Sequence, residues 1–392
     1  MTDIAMSRSI AVPNWLLLGY DKSLIRSWKV SVHSPTMAPQ GSAPHRPAHS
    51  ADDVVAWSAV RDWMDERGVG AGDIVDATLL AGGTQNLLLR FRRGDDTYVL
   101  RRPPLNKRPN SDESIRREAA LLGELATTVV PHPRLIAACL DPAVLGANFY
   151  LMSEVDGFNP KTSLPAAFEA DRGFHRRLGL AMVDALLTLE SVPVDRLREA
   201  GFGDPDGWLE RQVERWSQRL DAWAVMAGTE PDVLLPGAVA LSRVLRSTRP
   251  ASWRPGLLHG DFHLSNVLVR WDRPEVAAIV DWEVATVGDP LIDLGHLLAT
   301  WPDRRQAGSP ATVLDLPGLP SPEELIEHYA ANSARDLTHL PWYRGMACYR
   351  FAILLEGTYA RSLAGLADPV VGERLHTIAR SLIDQGARMV AA

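Results

Sequence analysis

The hydrophobic rhythm of the chain changes near residue 157. Before that point, short apolar or alternating runs at 75–80, 87–92 and 97–102 carry the two-residue period of strands. Ile115, Ala119, Leu122 and Ala126 then recur at helical spacing and predict a helix over 111–126. The run Phe149-Tyr150-Leu151-Met152-Ser153-Glu154-Val155 predicts a buried strand ending near Gly157. Further upstream, Val54, Val55, Trp57, Val60, Trp63 and Met64 predict a first helix. Beyond 157 the pattern becomes mostly helical. Phe174, Leu178, Ala181, Ala185 and Leu189 mark one stripe, and Trp208, Val213, Trp216, Leu220 and Trp223 a second. Helices are also expected over 289–300, 321–335, 341–366 and 369–390, with strand-like runs at 256–258, 267–269 and 276–280 between them. A strand-rich half followed by a helix-rich half is an α+β arrangement.

Composition narrows the class. Of 392 residues, 46% are hydrophobic, which suits a globular chain with a large core. The net charge of −7 argues against a general nucleic-acid binder, which needs a basic footprint. Cys139 and Cys348 are the two cysteines, and neither lies in a Cys-x-x-Cys pair. That usage points to a reducing cytoplasm and away from a disulfide scaffold or a zinc site. No apolar run reaches the ~20 residues of a membrane span. Residues 1–50 hold Pro13, Pro35, Pro39, Pro44 and Pro47 among many Ser and Ala. They are expected to form a disordered leader, with Met37 an alternative start and order beginning near Ala51.

The candidate chemistry lies between the strand-like runs of the second half. Leu258-His259-Gly260-Asp261-Phe262-His263-Leu264-Ser265-Asn266 is followed by Ile279-Val280-Asp281-Trp282-Glu283. Asp261 and Asn266 stand five residues apart, and Asp281 lies fifteen beyond the amide. One carboxylate to orient a hydroxyl, with an Asn and an Asp to hold Mg²⁺, is the set that phosphoryl transfer requires. Protein kinases carry H-R-D-L-x-x-x-N and then D-F-G. Here Gly260 replaces the arginine and Asp281-Trp282-Glu283 replaces D-F-G.

The form H-G-D-x-H-x-x-N, then I-V-D-W-E, Gly288-Asp289-Pro290 and Asp293-Leu294, resembles the aminoglycoside phosphotransferase family of small-molecule kinases. Within it, the chain resembles the branch that also occurs fused to acyl-CoA dehydrogenases. The resemblance covers roughly 75–365 and implies a protein-kinase-like two-lobe fold. A small N-terminal antiparallel sheet lobe (51–156) would precede a larger, mostly helical C-terminal lobe (157–392). It implies ATP and Mg²⁺ as cofactors, Asp261 as the catalytic residue, and Asn266 and Asp281 as metal ligands. His259 is expected to hold the loop by hydrogen bonds, Asp289 and Asp293 to brace it, and His263 to pack or, as the alternative, to touch phosphate.

The upstream half supplies candidates for the nucleotide site. Gly82, Gly83, Thr84 and Asn86 form a turn between two strands, where glycine lets backbone N–H groups approach a phosphate. Arg101 ends the third strand, where protein kinases place a phosphate-binding lysine, and a guanidinium binds phosphate equally well. Glu118, on the following helix, is its expected carboxylate partner. Met152, Ser153, Glu154 and Val155 occupy the place of the family's interlobe hinge, whose backbone receives the adenine.

The acceptor is read as a small hydroxylated molecule, because no A-P-E segment or long activation loop follows Asp281. Residues 203–250 carry seven acidic against six basic side chains, so a strongly anionic pocket for a polycationic sugar is not indicated. Trp208, Trp216 and Trp223 in the same stretch are expected in the core. The resemblance to the branch fused to acyl-CoA dehydrogenases, with that weak acidity, implies a hydroxyacyl thioester as one candidate acceptor. An aminoglycoside O-phosphotransferase, a catalytically silent nucleotide-binding module and a protein kinase are the competing readings.

Overall fold

The computed structural model describes residues 50–80, 86–161, 164–302 and 316–391. Its first half is built on five strands, β1 (Ile74–Leu79), β2 (Leu87–Arg93), β3 (Asp96–Arg102), β4 (Leu135–Cys139) and β5 (Phe149–Ser153). They pair antiparallel in the order β1-β2-β3-β5-β4. Alternation places Leu89, Phe91 and Leu100 on the buried face, against Val60, Trp63 and Met64 of α2 (Trp57–Glu66) and against Phe149 and Leu151. The first helix is two segments, α1 (Ala51–Val54) and α2, because Val55 takes an extended conformation between them. Strand β4 had no clear forecast, since Leu-Ile-Ala-Ala-Cys is short and alanine-rich.

Helix α3 (Ser111–Leu125) packs against β4 and β5, and its Ile115, Leu121 and Leu122 belong to the core of the larger lobe. That lobe contains α4 (Arg172–Thr188), α5 (Val194–Glu199), α6 (Trp208–Ala227), α7 (Pro231–Leu234) and α8 (Ala238–Ser247). Four short strands follow, β6 (Gly256–Leu258), β7 (Val267–Val269), β8 (Val276–Ile279) and β9 (Thr286–Gly288), paired as β6-β9 and β7-β8. The chain ends in α9 (Leu291–Thr300), α10 (Pro322–Asn332), α11 (Leu340–Leu363) and α12 (Pro369–Ala391). Trp208, Trp216 and Trp223 are buried in this core, as helical aromatics usually are.

The fold is the α+β, two-lobe arrangement of the protein kinases. Past the sheet, Phe158 and Val269 exchange backbone hydrogen bonds of 2.8 Å, which fastens the connection between lobes to the β7-β8 hairpin. The leader expected over 1–49 lies outside the described residues. Among the described residues, no helix is long and apolar enough to cross a membrane.

Candidate active site

The β7-β8 hairpin sets the spacing of the site. Val267 pairs with Ile279, and the Val280 N–H donates to the Asn266 carbonyl at 2.9 Å. Asn266 and Asp281 therefore flank the same end of one hairpin, although fifteen residues separate them. Asp281 has φ +69° and ψ +58°, a left-handed conformation that Asp tolerates better than most residues. Such a conformation costs free energy and is characteristic of functional sites.

The loop leading to Asp261 is held from below. Asp293 on α9 is fully buried and accepts the N–H groups of His259 (2.6 Å) and Gly260 (2.9 Å). Burial pushes its carboxyl up to about 7, against the lowering effect of those two bonds. His259 receives the Asp261 N–H at Nδ1 (3.2 Å), so its Nε2 carries the proton and donates to the Val280 carbonyl at 2.9 Å. One imidazole thus joins the catalytic loop to the Asp281 segment. Gly260 has φ +85°, and a Cβ there would lie 2.9 Å from the Val284 carbonyl oxygen. Glycine is required where protein kinases carry arginine. Arg350 of α11 donates to the Gly260 carbonyl from the other side. Asp289 accepts the Leu291 N–H at the start of α9 and the Tyr343 hydroxyl.

Both oxygens of Asp261 face hydrogen-bond donors. His296 Nε2 lies 3.2 Å from Oδ1, His263 Nε2 lies 3.5 Å from Oδ2, and Asn266 Nδ2 lies 3.2 Å from Oδ2. Burial alone would raise this carboxyl, but His263 and His296 hold it well below the usual carboxylate range. Asp261 is thus a weak base suited to orienting a hydroxyl. His263, Asp261 and His296 are close enough to suggest a metal triad. The tautomer of His263 argues otherwise. Its Nδ1 accepts the Ser265 N–H at 3.1 Å, so Nε2 carries a proton and offers Asp261 a donor, with no lone pair for a metal. For His263 the sequence offered phosphate contact or packing, and for His296 it offered no role. The available signal was helical: Asp293 and His296 stand three residues apart on α9, on one face.

Arg101 joins the lobes. Its Nε lies 2.8 Å from Glu118 Oε2, and its guanidinium donates to Asp281 Oδ1 at 2.9 Å. Burial favours the neutral form of Arg101, but the charges of Glu118 and Asp281 outweigh it, so the guanidinium stays cationic. Glu118 also accepts the Trp282 N–H at 3.2 Å and a hydrogen bond from Tyr150. Arg102 alternates to the opposite face and donates to the Val54 carbonyl at 2.7 Å. The Asn266 amide uses its nitrogen on Asp261, which leaves its oxygen for a cation. Asp281 keeps 43% of its side chain exposed beyond Arg101. Two such oxygens on one hairpin end fit a hard divalent cation that retains several waters.

The remaining candidates are placed unevenly. Gly82, Gly83 and Thr84 lie outside the described residues, and Asn86 directly precedes β2. Met152 and Ser153 end β5, with the Ser153 N–H already donating to the Arg134 carbonyl at 2.9 Å. Glu154 pairs with Arg90 at 2.6 Å, and Val155 follows, half-buried. Lys161 and Arg350, unassigned from sequence, adjoin the catalytic loop.

A two-lobe fold with an orienting carboxylate beside a hairpin-borne Asn/Asp pair defines a kinase-like phosphotransferase. Comparison with known proteins agrees. Residues 76–328 match the family described as "Phosphotransferase enzyme family", APH. Acyl-CoA dehydrogenase family member 11 of Homo sapiens is 30% identical over 330 residues, which is 81% of this chain and 40% of that protein. The chain thus spans well under half of this curated relative. A Ralstonia eutropha JMP134 structure assigned to the aminoglycoside phosphotransferases is 24% identical, with TM-score 0.69, covering 85% of this chain and 98% of that one. A thermostable mutant of aminoglycoside phosphotransferase APH(4)-Ia, in ternary complex with AMP-PNP and hygromycin B, superposes with TM-score 0.54 at 15% identity, covering 84% and 99%. The chain belongs to the APH phosphotransferase family.

Proposed function

We propose that this enzyme transfers the γ-phosphate of ATP, with Mg²⁺, to a hydroxyl of a small molecule, and that the acceptor is a hydroxyacyl thioester. The observation that carries the reading is the meeting of Asp261, Asn266 and Asp281 at one hairpin end beside the Arg101 guanidinium. Asn266 and Asp281 are the residues that would hold Mg²⁺, which when bound supplies charge to phosphate oxygens. Arg101, fixed by Glu118, would meet a phosphate from the N-terminal lobe. The adenine would sit against the backbone of Met152–Val155, and the Gly82–Thr84 turn would cover the phosphates. Asp261 would orient the acceptor hydroxyl and take its proton late, because its basicity is low. Positioning and electrostatics would then supply most of the rate acceleration.

The acceptor class rests on the acyl-CoA dehydrogenase relative and on the weak acidity of 203–250. The small lobe would span 51–156 and the catalytic lobe 157–392, dividing at the connection before Phe158. Two free, buried cysteines suit the cytoplasm. The test is a steady-state panel of hydroxyacyl-CoAs, aminoglycosides and a metabolite library with ATP and Mg²⁺, read by mass spectrometry for added phosphate. Turnover of hydroxyacyl-CoAs is expected. Turnover of aminoglycosides alone would remove the thioester, and nucleotide binding without any product would indicate a silent module.

A further inference from the structure

Helix α9 is buried along its whole length, and Leu291, Ile292, Leu294, Leu297 and Leu298 belong to the core. Three polar side chains interrupt that apolar surface. Thr300 satisfies its hydroxyl inside the helix, on the His296 carbonyl at 2.9 Å. Asp293 accepts the His259 and Gly260 N–H groups and so fixes the backbone that leads into Asp261. His296, one turn on, has no backbone task of that kind. It is fully buried, and its Nε2 lies 3.2 Å from Asp261 Oδ1. Among the described residues, neither ring nitrogen makes a well-aligned hydrogen bond. Burying unsatisfied ring nitrogens is costly, and Leu or Phe would fill the same space without that cost. A histidine here needs a reason outside packing, and the Asp261 carboxylate supplies it.

An aspartate carboxylate turns easily about its last side-chain bond, because that torsion has broad, two-fold preferences. Donors on one oxygen leave the plane of the group able to swing about that oxygen. Asn266 Nδ2 and His263 Nε2 both approach Oδ2, at 3.2 and 3.5 Å. His296 approaches the other oxygen, from the core side, and so can fix the plane. Phe351 of α11 meets the imidazole edge to face, with 5.6 Å between ring centres and an angle of 82°, which restrains the ring itself. Oδ1 therefore looks into the protein, while Oδ2 lies on the side of His263, whose side chain is 14% exposed. A distance of 3.2 Å is long for a charge-assisted bond, and catalytic contacts of this kind tighten in the complex with substrate. Burial pushes the His296 imidazole down to about 4 against the pull of Asp261, so it meets the carboxylate as an uncharged N–H donor.

We propose that His296 is a positioning residue for phosphoryl transfer: its Nε2–H, on Oδ1, sets the plane of the Asp261 carboxylate, so that Oδ2 is the oxygen that meets the acceptor hydroxyl. This deepens the phosphotransferase reading and rests on it for the word acceptor. In the step served, the acceptor oxygen bonds to the γ-phosphorus as the bond from that phosphorus to the bridging oxygen of ADP breaks. The hydroxyl proton passes to Oδ2, and His296 keeps its own proton throughout. Helix α9 thus places the orienting carboxylate twice, its backbone through Asp293 and its side chain through His296.

Two measurements on the full chain test this. With ¹⁵N-histidine labelling, the resonance that His296→Phe removes should show the Nε2–H tautomer, and Asp261→Ala should displace it. Turnover is read as ADP formed from ATP and Mg²⁺ with water as the acceptor, and with any acceptor the metabolite panel yields. His296→Phe keeps a ring against Phe351 but offers no donor. It should lower kcat on the order of ten- to a hundredfold, the cost of a misplacement of about 1 Å, and leave the nucleotide KM unchanged. His296→Gln, whose amide nitrogen reaches a similar distance, should recover most of that loss. Equal losses in both variants, tracking a fallen melting temperature, would make His296 structural and overturn the proposal. So would a proton on Nδ1, a resonance indifferent to Asp261→Ala, or wild-type turnover in His296→Phe. The tautomer is read in the wild type, so it decides even if a variant fails to fold. A wild type without turnover that still shows the Nε2–H signal, displaced by Asp261→Ala, would count against the phosphotransfer reading and leave the contact standing.

Discussion

The catalytic loop and the Arg101 cluster fix charged groups by opposite means. The loop is organised within one lobe, by peptide N–H groups on Asp293 and by imidazoles on Asp261. The cluster is organised between lobes, by a guanidinium shared between Glu118 and Asp281. Local hydrogen bonds within one lobe hold Asp261. The ion pairs instead run from Arg101 on β3 to Asp281 beyond the β7-β8 hairpin. Removing the loop's carboxylate should therefore affect chemistry alone. Asp261→Ala is expected to lower kcat by about 10³-fold or more, on general-base magnitudes, with nucleotide affinity by calorimetry nearly unchanged. A variant that instead lost nucleotide binding would erase the distinction between the two regions.

The cluster should respond in stability as well as affinity. Glu118→Gln leaves a buried guanidinium short of one carboxylate, and stripping one partner from a buried pair costs about 3–5 kcal/mol. Denaturant unfolding should show that loss, and the KM for nucleotide should rise with it. Asp281→Ala separates the two effects. This carboxylate is 43% exposed, so its pair with Arg101 contributes little, and unfolding should change by less than about 1 kcal/mol. Metal-dependent nucleotide binding should nevertheless weaken, seen as a higher magnesium requirement in titration. Equal stability losses for the two variants would mean that the cluster acts only as scaffold.

The same contrast explains what the chain showed before folding. The catalytic segment was legible because its chemistry is compressed into a short motif between strand-like runs, and the hairpin register carries Asn266 to Asp281. The partnership of Arg101 with Glu118 was visible as residue types in order, and geometry then added Asp281 as a second partner. His296 was invisible as a contact of Asp261, since it lies 35 residues downstream on a helix that reads as ordinary core. Strand β4 was missed because alanine carries little strand preference, and pairing with β5 decides its conformation.

The smallest expected effect lies far from the reaction, where a second buried glutamate sharpens the comparison with Glu118. Glu356 on α11 is fully buried, with His376 Nδ1 of α12 2.9 Å away, and burial pushes its carboxyl up to about 8. Arg101 cannot lose its charge, whereas an imidazole can. Between the unfolded value of 4.5 and about 8, folded Glu356 keeps a proton that the unfolded chain releases. Stability from this group therefore falls as pH rises through that window and levels off above it. His376, lowered by burial, acts in the opposite sense only below about 6.5, where the unfolded chain binds the extra proton. Thermal unfolding at pH 6.5 and at pH 8.5 spans the glutamate's window, which Glu283, also pushed up to about 8, and Asp293, at about 7, share. The melting temperature should drop between the two in wild type, and Glu356→Gln, which has no proton to lose, should remove its own share of that drop. Parallel slopes in the two proteins would show that Glu356 is ionised throughout, stabilised by its partner as Glu118 is by Arg101.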